Sequence, residues 1–365
     1  MILPFFLLGL GVLTTIITLI LWLRWKPSVI SEVPEMIWPK VSVLVPARDE
    51  EQNLPRCLNA LLASDYPLDR IEILVGDDHS TDNTRKVIQN YAAEHPQVSL
   101  VEVGHSSGNA RAKANVLVYL TRAATHDIWL LTDADIAPSP GWLKAMVGVR
   151  EREQAGLVAG VTMVESKSLW GQLQKVDWMM GWGMIQLGVE AGQPVTSAGN
   201  NMLVTREAYQ AVGGYEKLPF SVTEDFVLYH AIIKEGYRVY HEFSSISKVN
   251  TLPIKGTNAL LRQRKRWMKG GVTLPLWLVS PLVLQALYYP TIVGLFVLKP
   301  TWALPILFSK WFFQVLFIRG VAQRVGEKVS PFYLWAYEIY SSFLSTTMII
   351  YYLWPAPIRW KGRKL

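Results

Sequence analysis

Residues 1–23, MILPFFLLGLGVLTTIITLILWL, carry no charged side chain. A helix needs about 20 apolar residues to cross the hydrocarbon core of a bilayer. The run ties the chain to a membrane before anything else is read. A cleaved secretory leader would place cations ahead of its apolar part and a small-residue cleavage site behind it. Here Arg24 and Lys26 follow the run instead. That order predicts an uncleaved anchor over 1–23, with its N-terminus outside and the chain from residue 24 onward in the cytosol.

Three more apolar stretches lie at 274–298, 301–318 and 332–354, separated by Lys299-Pro300 and by RGVAQRVGEKVS. The first holds Pro275, Pro281 and Pro290, which marks it as kinked, re-entrant or interfacial. Three full spans would leave the basic tail, 355–365, outside, against the preference of Lys and Arg for the cytosolic side. Either one stretch of the region 271–354 does not span, or that preference fails at this end; two spans with one interfacial segment are the favoured reading of its two to three apolar helices. The chain is thus expected to be a multi-pass protein of the cell membrane with its soluble part in the cytosol.

Charge points the same way. The balance is +7, from 36 Lys and Arg against 29 Asp and Glu, and cations such as Arg24, Lys26, Lys269, Arg359 and Lys361 border the apolar runs. Nucleic-acid binding would explain the charge but neither the acid clusters nor the apolar runs, so no nucleic-acid partner is expected. Cys57 is the single cysteine, which excludes an intrachain disulfide framework, and no Cys/His cluster offers a zinc site.

Residues 40–270 read as a soluble α/β domain. VSVLVPA (41–47), IEILVGDD (71–78), VSLVEV (98–103) and IWLLTDAD (128–135) are strand-like, and helical stretches separate them. Such alternation predicts a mostly parallel sheet covered on both faces, with ligands outside the carboxyl ends of the strands. Pro46 to Glu51, Asp77 to Asp82 and Asp133 to Asp135 occupy those ends. Neither a GxGxxG nor a GxxxxGK[ST] sequence is present.

Each acid group has a plain reading beside a chemical one. In DDHSTDNT, Ser80, Thr81 and Asp82 suit a helix cap. Capping leaves unexplained Asp77 and Asp78 stacked at a strand end, where a donor-rich ligand or a cation would relieve their repulsion. Asp133 and Asp135 are either a solvated turn pair or an oxygen site for Mg²⁺ or Mn²⁺, ions that bind few protein ligands together with substrate phosphates. Glu224 and Asp225 open a helix, where the dipole favours acids, yet one carboxylate there can also serve as a general base. Lys113 is either a solvated helical lysine or a counter-charge for phosphate. SAGNN, 197–201, supplies a turn able to pass close to a ligand. Trp170, Trp178 and Trp182 share a helical face, which suits core or membrane-surface packing and also an acceptor platform.

Taken in order, DDHS, TDAD, TED and QRKRW resemble the motif series of membrane-bound family 2 glycosyltransferases, across residues 40–270. Two departures stand out: His79 where a small residue is usual, and Ala112 rather than glycine before Lys113. The resemblance implies a GT-A fold, a nucleotide-sugar donor of the UDP type and inversion at the anomeric carbon. It implies donor contacts from Pro46, Glu50, Asp77, Asp78, Lys113, Asp133, Gln263 and Arg266, with Asp135 and Asp133 holding Mg²⁺ or Mn²⁺. It makes Asp225 the base, Glu224 its support and Trp267 an acceptor contact, while Arg264 and Lys265 are left as plain membrane anchors. The implied acceptor is a lipid or a membrane-embedded glycan. A processive polysaccharide synthase and a silent nucleotide-sugar-binding subunit are the competing readings.

Overall fold

VSVLVPA is apolar at nearly every position, a pattern that suits a strand covered on both faces. In the computed structural model it forms an inner strand of a sheet whose parallel half is β1 (Val41–Ala47), β2 (Ile71–Asp77), β3 (Val98–Glu102) and β4 (Ile128–Thr132). The structure describes residues 2–26, 36–193, 195–271, 276–353, 359–360 and 363–364. Pro275, the expected start of the apolar stretch near Leu274 and most of the basic tail fall outside the described residues.

β1 pairs in parallel with β2 on one side and β4 on the other, and β2 with β3. Six short strands follow: β5 (Ile136–Pro138), β6 (Leu157–Ala159), β7 (Thr162–Val164), β8 (Asn201–Thr205), β9 (Val239–His241) and β10 (Val249–Thr251). The large sheet runs β3-β2-β1-β4-β8-β6-β9, and a small one runs β5-β10-β7. β8 is antiparallel to both of its neighbours, so the parallel part is the half that carries the acid motifs. Alternation along β1 sends Val41, Val43 and Val45 into one core with the helix Leu54–Leu62. Leu44 goes to the opposite face, against the helix Ala112–Ala123.

A third core joins this domain to the apolar helices. The helix Leu169–Glu190 packs Val176, Met179 and Trp182 against Phe317 and Val321 of the helix Pro300–Arg324, and against Tyr337 and Tyr340 of the helix Pro331–Leu353. Charged clamps accompany it. Glu327 accepts from Lys175 at 2.7 Å and from Lys248, and Arg324 reaches Glu190 at 2.6 Å.

Among the described residues, three helices are long and apolar enough to cross a membrane: Ile2–Arg24, Val279–Leu298 and Pro300–Arg324. Small residues let such helices approach closely. A Cβ on Gly11 would lie 2.9 Å from Ile306, and one on Gly294 would lie 2.8 Å from Leu7. Pro281 and Pro290 sit inside the continuous helix Leu276–Leu298, so neither ends it. The last C-terminal stretch is the helix Pro331–Leu353. It carries Glu338, whose carboxylate is met by the fully buried Lys310 at 2.9 Å and by Gln314 at 2.9 Å.

Candidate active site

β4 ends at Thr132, and the chain then turns before entering β5 in the small sheet. Asp133 and Asp135 occupy that turn, which closes through a bond from the Ile136 N–H to the Asp133 carbonyl at 3.1 Å. Both aspartates line a cleft of about 450 Å³. Its other walls come from the start of the helix Ala112–Ala123, the start of the helix Glu224–Lys234, the turn 196–200, the helix Leu169–Glu190 and the helix Thr257–Gly271. Lys113, Glu224, Asp225, Gln263, Arg266 and Trp267 all face it, together with the two aspartates.

Lys113 is the electrostatic centre. Its ammonium lies 2.6 Å from Asp133 and 3.3 Å from Glu224. Burial works against that charge, but the carboxylates of Asp133 and Glu224 outweigh it and hold the lysine protonated beyond its usual range. Burial also pushes the Glu224 carboxyl above its usual range; Lys113 opposes the shift and Asp225 adds to it. The solvated-lysine reading of Lys113 is thereby replaced by an internal counter-ion.

Asp225 is fixed by backbone. One carboxylate oxygen accepts the Gly199 N–H at 2.7 Å, and the other accepts the Phe226 N–H at 2.9 Å. A Cβ on Gly199 would stand 2.9 Å from the Asp225 Cβ and 3.2 Å from its oxygen. The turn SAGNN therefore does approach closely, and what it approaches is the acid. Asn200 accepts the Thr162 hydroxyl at 2.8 Å, while Asn201 is buried structure, donating to the carbonyls of Val161 and Ser247 and accepting from Trp142.

The motif QRKRW lies on the helix Thr257–Gly271 and divides its side chains among several partners. Arg264 pairs with Asp177 at 2.5 Å, and its guanidinium stands 4.5 Å from the centre of the Trp267 ring. Lys265 is buried and donates to the Tyr351 carbonyl at 3.3 Å. Neither is a simple membrane anchor. Arg266 has no acidic partner among the described residues, and the Gln263 side-chain oxygen is buried without a hydrogen-bond donor. Trp178 meets Trp267 edge to face, with ring centres 5.5 Å apart, and Trp182, Ile185, Phe220, Leu252 and Ile254 make that side of the cleft apolar. Trp170, the third tryptophan of the set, instead packs on Tyr340 and donates to the Ile254 carbonyl.

Pro46, Glu50, Asp77 and Asp78 do not line this cleft. They sit at the neighbouring ends of β1 and β2. Continuing the β1–β4 register sets Asp133 beside Pro46. Gly76 is then about two strand spacings from Asp133, or roughly 10 Å, and Asp78 lies two residues further along. Asp77 accepts the Ser80 N–H at 3.2 Å within the loop, and Asp82 accepts the N–H of Thr84, the first residue of the helix Thr84–Glu94, at 2.9 Å, while the N-cap Asn83 makes no side-chain cap bond. Arg48 supplies a cation to Asp78 at 3.5 Å, so part of what the paired acids demand comes from the protein itself. The loops 48–51 and 80–84 are laced together, with Asp49 accepting from Thr81 at 2.7 Å and Thr84 accepting from Glu50 at 2.7 Å. Glu50 takes the Asn53 amide at 2.7 Å. His79 and Ala112, the two departures from the usual motif, both hold a left-handed backbone, at φ 53° and φ 50°. Glycine adopts that conformation at no steric cost, while other residues are strained in it.

Two acid runs at the ends of the parallel strands β2 and β4, a third at a helix start and QRKRW across the cleft form the arrangement against which known proteins can be set. The profile of glycosyl transferase family 21 matches residues 5–365. The chain belongs to glycosyl transferase family 21. Among curated relatives, this family 21 chain is 26% identical to a beta-monoglucosyldiacylglycerol synthase of Synechocystis sp., over 67% of the chain and 50% of the relative. It is 24% identical to a poly-beta-1,6-N-acetyl-D-glucosamine synthase of Staphylococcus epidermidis, over 63% of the chain and 54% of the relative. The chain thus spans about half the length of the curated relatives it matches. Among solved structures it resembles the mannosyltransferase PcManGT from Pyrobaculum calidifontis, in complex with GDP-Man and Mn²⁺, with a TM-score of 0.57 and 21% identity over 95% of this chain and 99% of that one. The fold is that of GT-A glycosyltransferases, as the motif order implied.

Sequence reasoning singles out neither Arg48 nor Asp177. Arg48 sits beside a strand-end motif and has a local signal, since a cation next to paired acids is their simplest partner. Asp177 has none, because its partner lies in a helix far along the chain.

Proposed function

We propose that this family 21 protein transfers one sugar from a nucleotide-sugar donor, UDP-linked, to a hydroxyl of a lipid or other membrane-embedded acceptor, with inversion at the anomeric carbon and a divalent cation. One observation carries the reading: Lys113, Asp133, Asp135, Glu224, Asp225, Gln263, Arg266 and Trp267, from four separate segments, line a single cleft beside the acids of β2. A glycolipid synthase and a polysaccharide synthase among the relatives support the reaction class.

The carboxylates fit a hard cation. Among the described residues there is no cluster of three or more His, Cys, Asp or Glu side chains able to hold a metal. An Mg²⁺ or Mn²⁺ ion at Asp135 and Asp133 would therefore complete its shell with substrate phosphates and water, which is the habit of Mg²⁺. When bound, such an ion neutralises charge on the leaving diphosphate. PcManGT is in complex with Mn²⁺ and its sugar nucleotide, which supports the assignment.

The chain's own residues do the rest. Arg266, paired with no acid among the described residues, is suited to bidentate contact with the diphosphate. Asp225 has both oxygens oriented by backbone N–H groups. It takes the proton from the acceptor hydroxyl as that oxygen attacks the face opposite the leaving group. Glu224 keeps Lys113 beside the site. Trp267 and the apolar wall of Trp178, Trp182 and Phe220 suit a sugar face and a lipid chain. Two spans after the domain would return the basic tail to the cytosolic side with the catalytic domain, in keeping with the positive-inside tendency.

The test is to incubate membranes carrying the protein with radiolabelled UDP- and GDP-sugars, with and without chelator, then extract lipid and size the product. Label entering a discrete lipid product, lost with chelator, is the expected result. A ladder of polymer would favour the processive synthase to which the Staphylococcus relative points. Nucleoside diphosphate release from no donor would end the enzymatic reading.

A further inference from the structure

Four cations line the cleft, and their partners differ. Arg111 donates to the carbonyls of Gly108 and Ala110, each at 2.7 Å. Lys113 is held between Asp133 and Glu224. Arg264 is held by Asp177, and Arg266 has no acidic partner among the described residues. Asp177 belongs to none of the acid motifs. It projects from the helix Leu169–Glu190 and lines the same cleft. Its second oxygen accepts the Tyr337 hydroxyl at 3.2 Å, from the helix Pro331–Leu353.

Resting on the transferase reading above, we propose that Asp177 is a positioning residue with two effects. It withholds the Arg264 guanidinium from the donor diphosphate, and through Arg264 it fixes the Trp267 ring against the acceptor side of the cleft.

The geometry supports both effects. The side chains of Arg264 and Asp177 are only 15% and 19% exposed. A partly buried pair of that kind is poorly screened, and the guanidinium is not free to wander. The same guanidinium lies over the Trp267 ring while Trp178 meets its edge, so the indole is pinned by a group that is itself pinned. Arg264 faces the cleft, two residues before Arg266. Released from Asp177, it would become a second available cation for any anion bound there. A second cation would strengthen diphosphate binding before and after the reaction alike. Uniform binding of that kind does not lower the barrier, and it holds the product longer.

The experiment uses the full chain in detergent and compares Asp177→Asn, Asp177→Glu and the double variant Asp177→Asn with Arg264→Gln. Binding of UDP and of GDP is measured calorimetrically, and transfer is compared with acceptor-free donor hydrolysis. In Asp177→Asn, nucleoside diphosphate should bind roughly tenfold tighter. Transfer should fall by about 10- to 100-fold, with the acceptor KM raised, because the ring is misplaced. Donor hydrolysis should stay within about threefold of wild type, since Asp225 and Arg266 are untouched. The double variant should lose the tightening and remain slow, and Asp177→Glu, which keeps the charge, should return the nucleotide affinity towards wild type. Unchanged or weaker nucleotide binding in Asp177→Asn overturns the proposal, and so does hydrolysis falling in step with transfer, which marks a purely structural residue. A wild-type chain that binds no nucleoside diphosphate and hydrolyses no donor is a separate failure, since it removes the underlying transferase reading as well.

Discussion

Replacing Lys113 by methionine keeps most of the side chain's volume and removes its charge from between Asp133 and Glu224. Taking one partner out of a buried ion pair costs about 3–5 kcal/mol, because the remaining charge is left uncompensated. Here the side chains of Lys113, Asp133 and Glu224 are 17%, 31% and 13% exposed. Water screens part of the loss, and about 2–3 kcal/mol is expected near neutral pH. For a domain of this size that is a drop of roughly 4–12 °C in the unfolding midpoint. The pH dependence has a definite sign. The Glu224 carboxyl is raised above its ordinary 4.5 by burial first, with Asp225 adding to the shift and Lys113 opposing it. An acid raised on folding contributes stability that is fully present below its unfolded pKa and is lost as pH climbs through the folded one. Removing Lys113 raises Glu224 further and deepens that loss. The deficit of Lys113→Met against wild type should therefore be largest near about pH 7.5 and shrink towards about pH 5. Thermal unfolding in detergent, followed by near-ultraviolet circular dichroism at both pH values, reads it directly. A midpoint equal to wild type near neutrality, or a deficit of the same size at both pH values, would refute the claim that Lys113 is the internal counter-ion of this cleft.

Three further outcomes are expected. Asp225→Asn should lower transfer by about 10²- to 10⁴-fold while leaving nucleotide-sugar binding within a few-fold, since it removes the general base and one of the two acceptors of backbone N–H groups; equal transfer in a product assay would remove the base assignment. Gly199→Ala drives a methyl to within 2.9 Å of the Asp225 side chain. Transfer by that variant should fall at least about tenfold with a smaller change in midpoint, and an active variant would show that the turn yields. Lys310→Met should break the pair with Glu338 and destabilise the apolar helices by about 3–5 kcal/mol. Adding Glu338→Leu should restore most of it; additive losses in a double-mutant cycle would show that the pair is not coupled.

Much of this molecule is local, and that part was legible. Apolar runs bounded by acids place strands and their carboxyl ends, because alternation and strand termination are properties of a few consecutive residues. The membrane run, the β/α alternation and the positions of Asp133, Asp135, Glu224 and Asp225 follow from such short stretches. The double reading of DDHSTDNT follows in part: Asp82 bonds the first N–H of the helix, while Asp77 is tied within the loop to Ser80 and Asp78 faces a cation.

Long-range geometry decided the rest. Whether Pro281 and Pro290 break a helix depends on what surrounds it, and here the helix continues through them. The fate of each cation in QRKRW depends on groups far away in the chain, as the separation of 87 between Arg264 and Asp177 shows. A five-residue string presents Arg264 and Arg266 as equivalents. Only the packing of the helix Leu169–Glu190 against the helix Thr257–Gly271 makes one of them a strut and leaves the other without an acidic partner among the described residues. Charge on a side chain is written in the sequence, but whether that charge is already neutralised is a property of what the fold brings within about 4 Å of it.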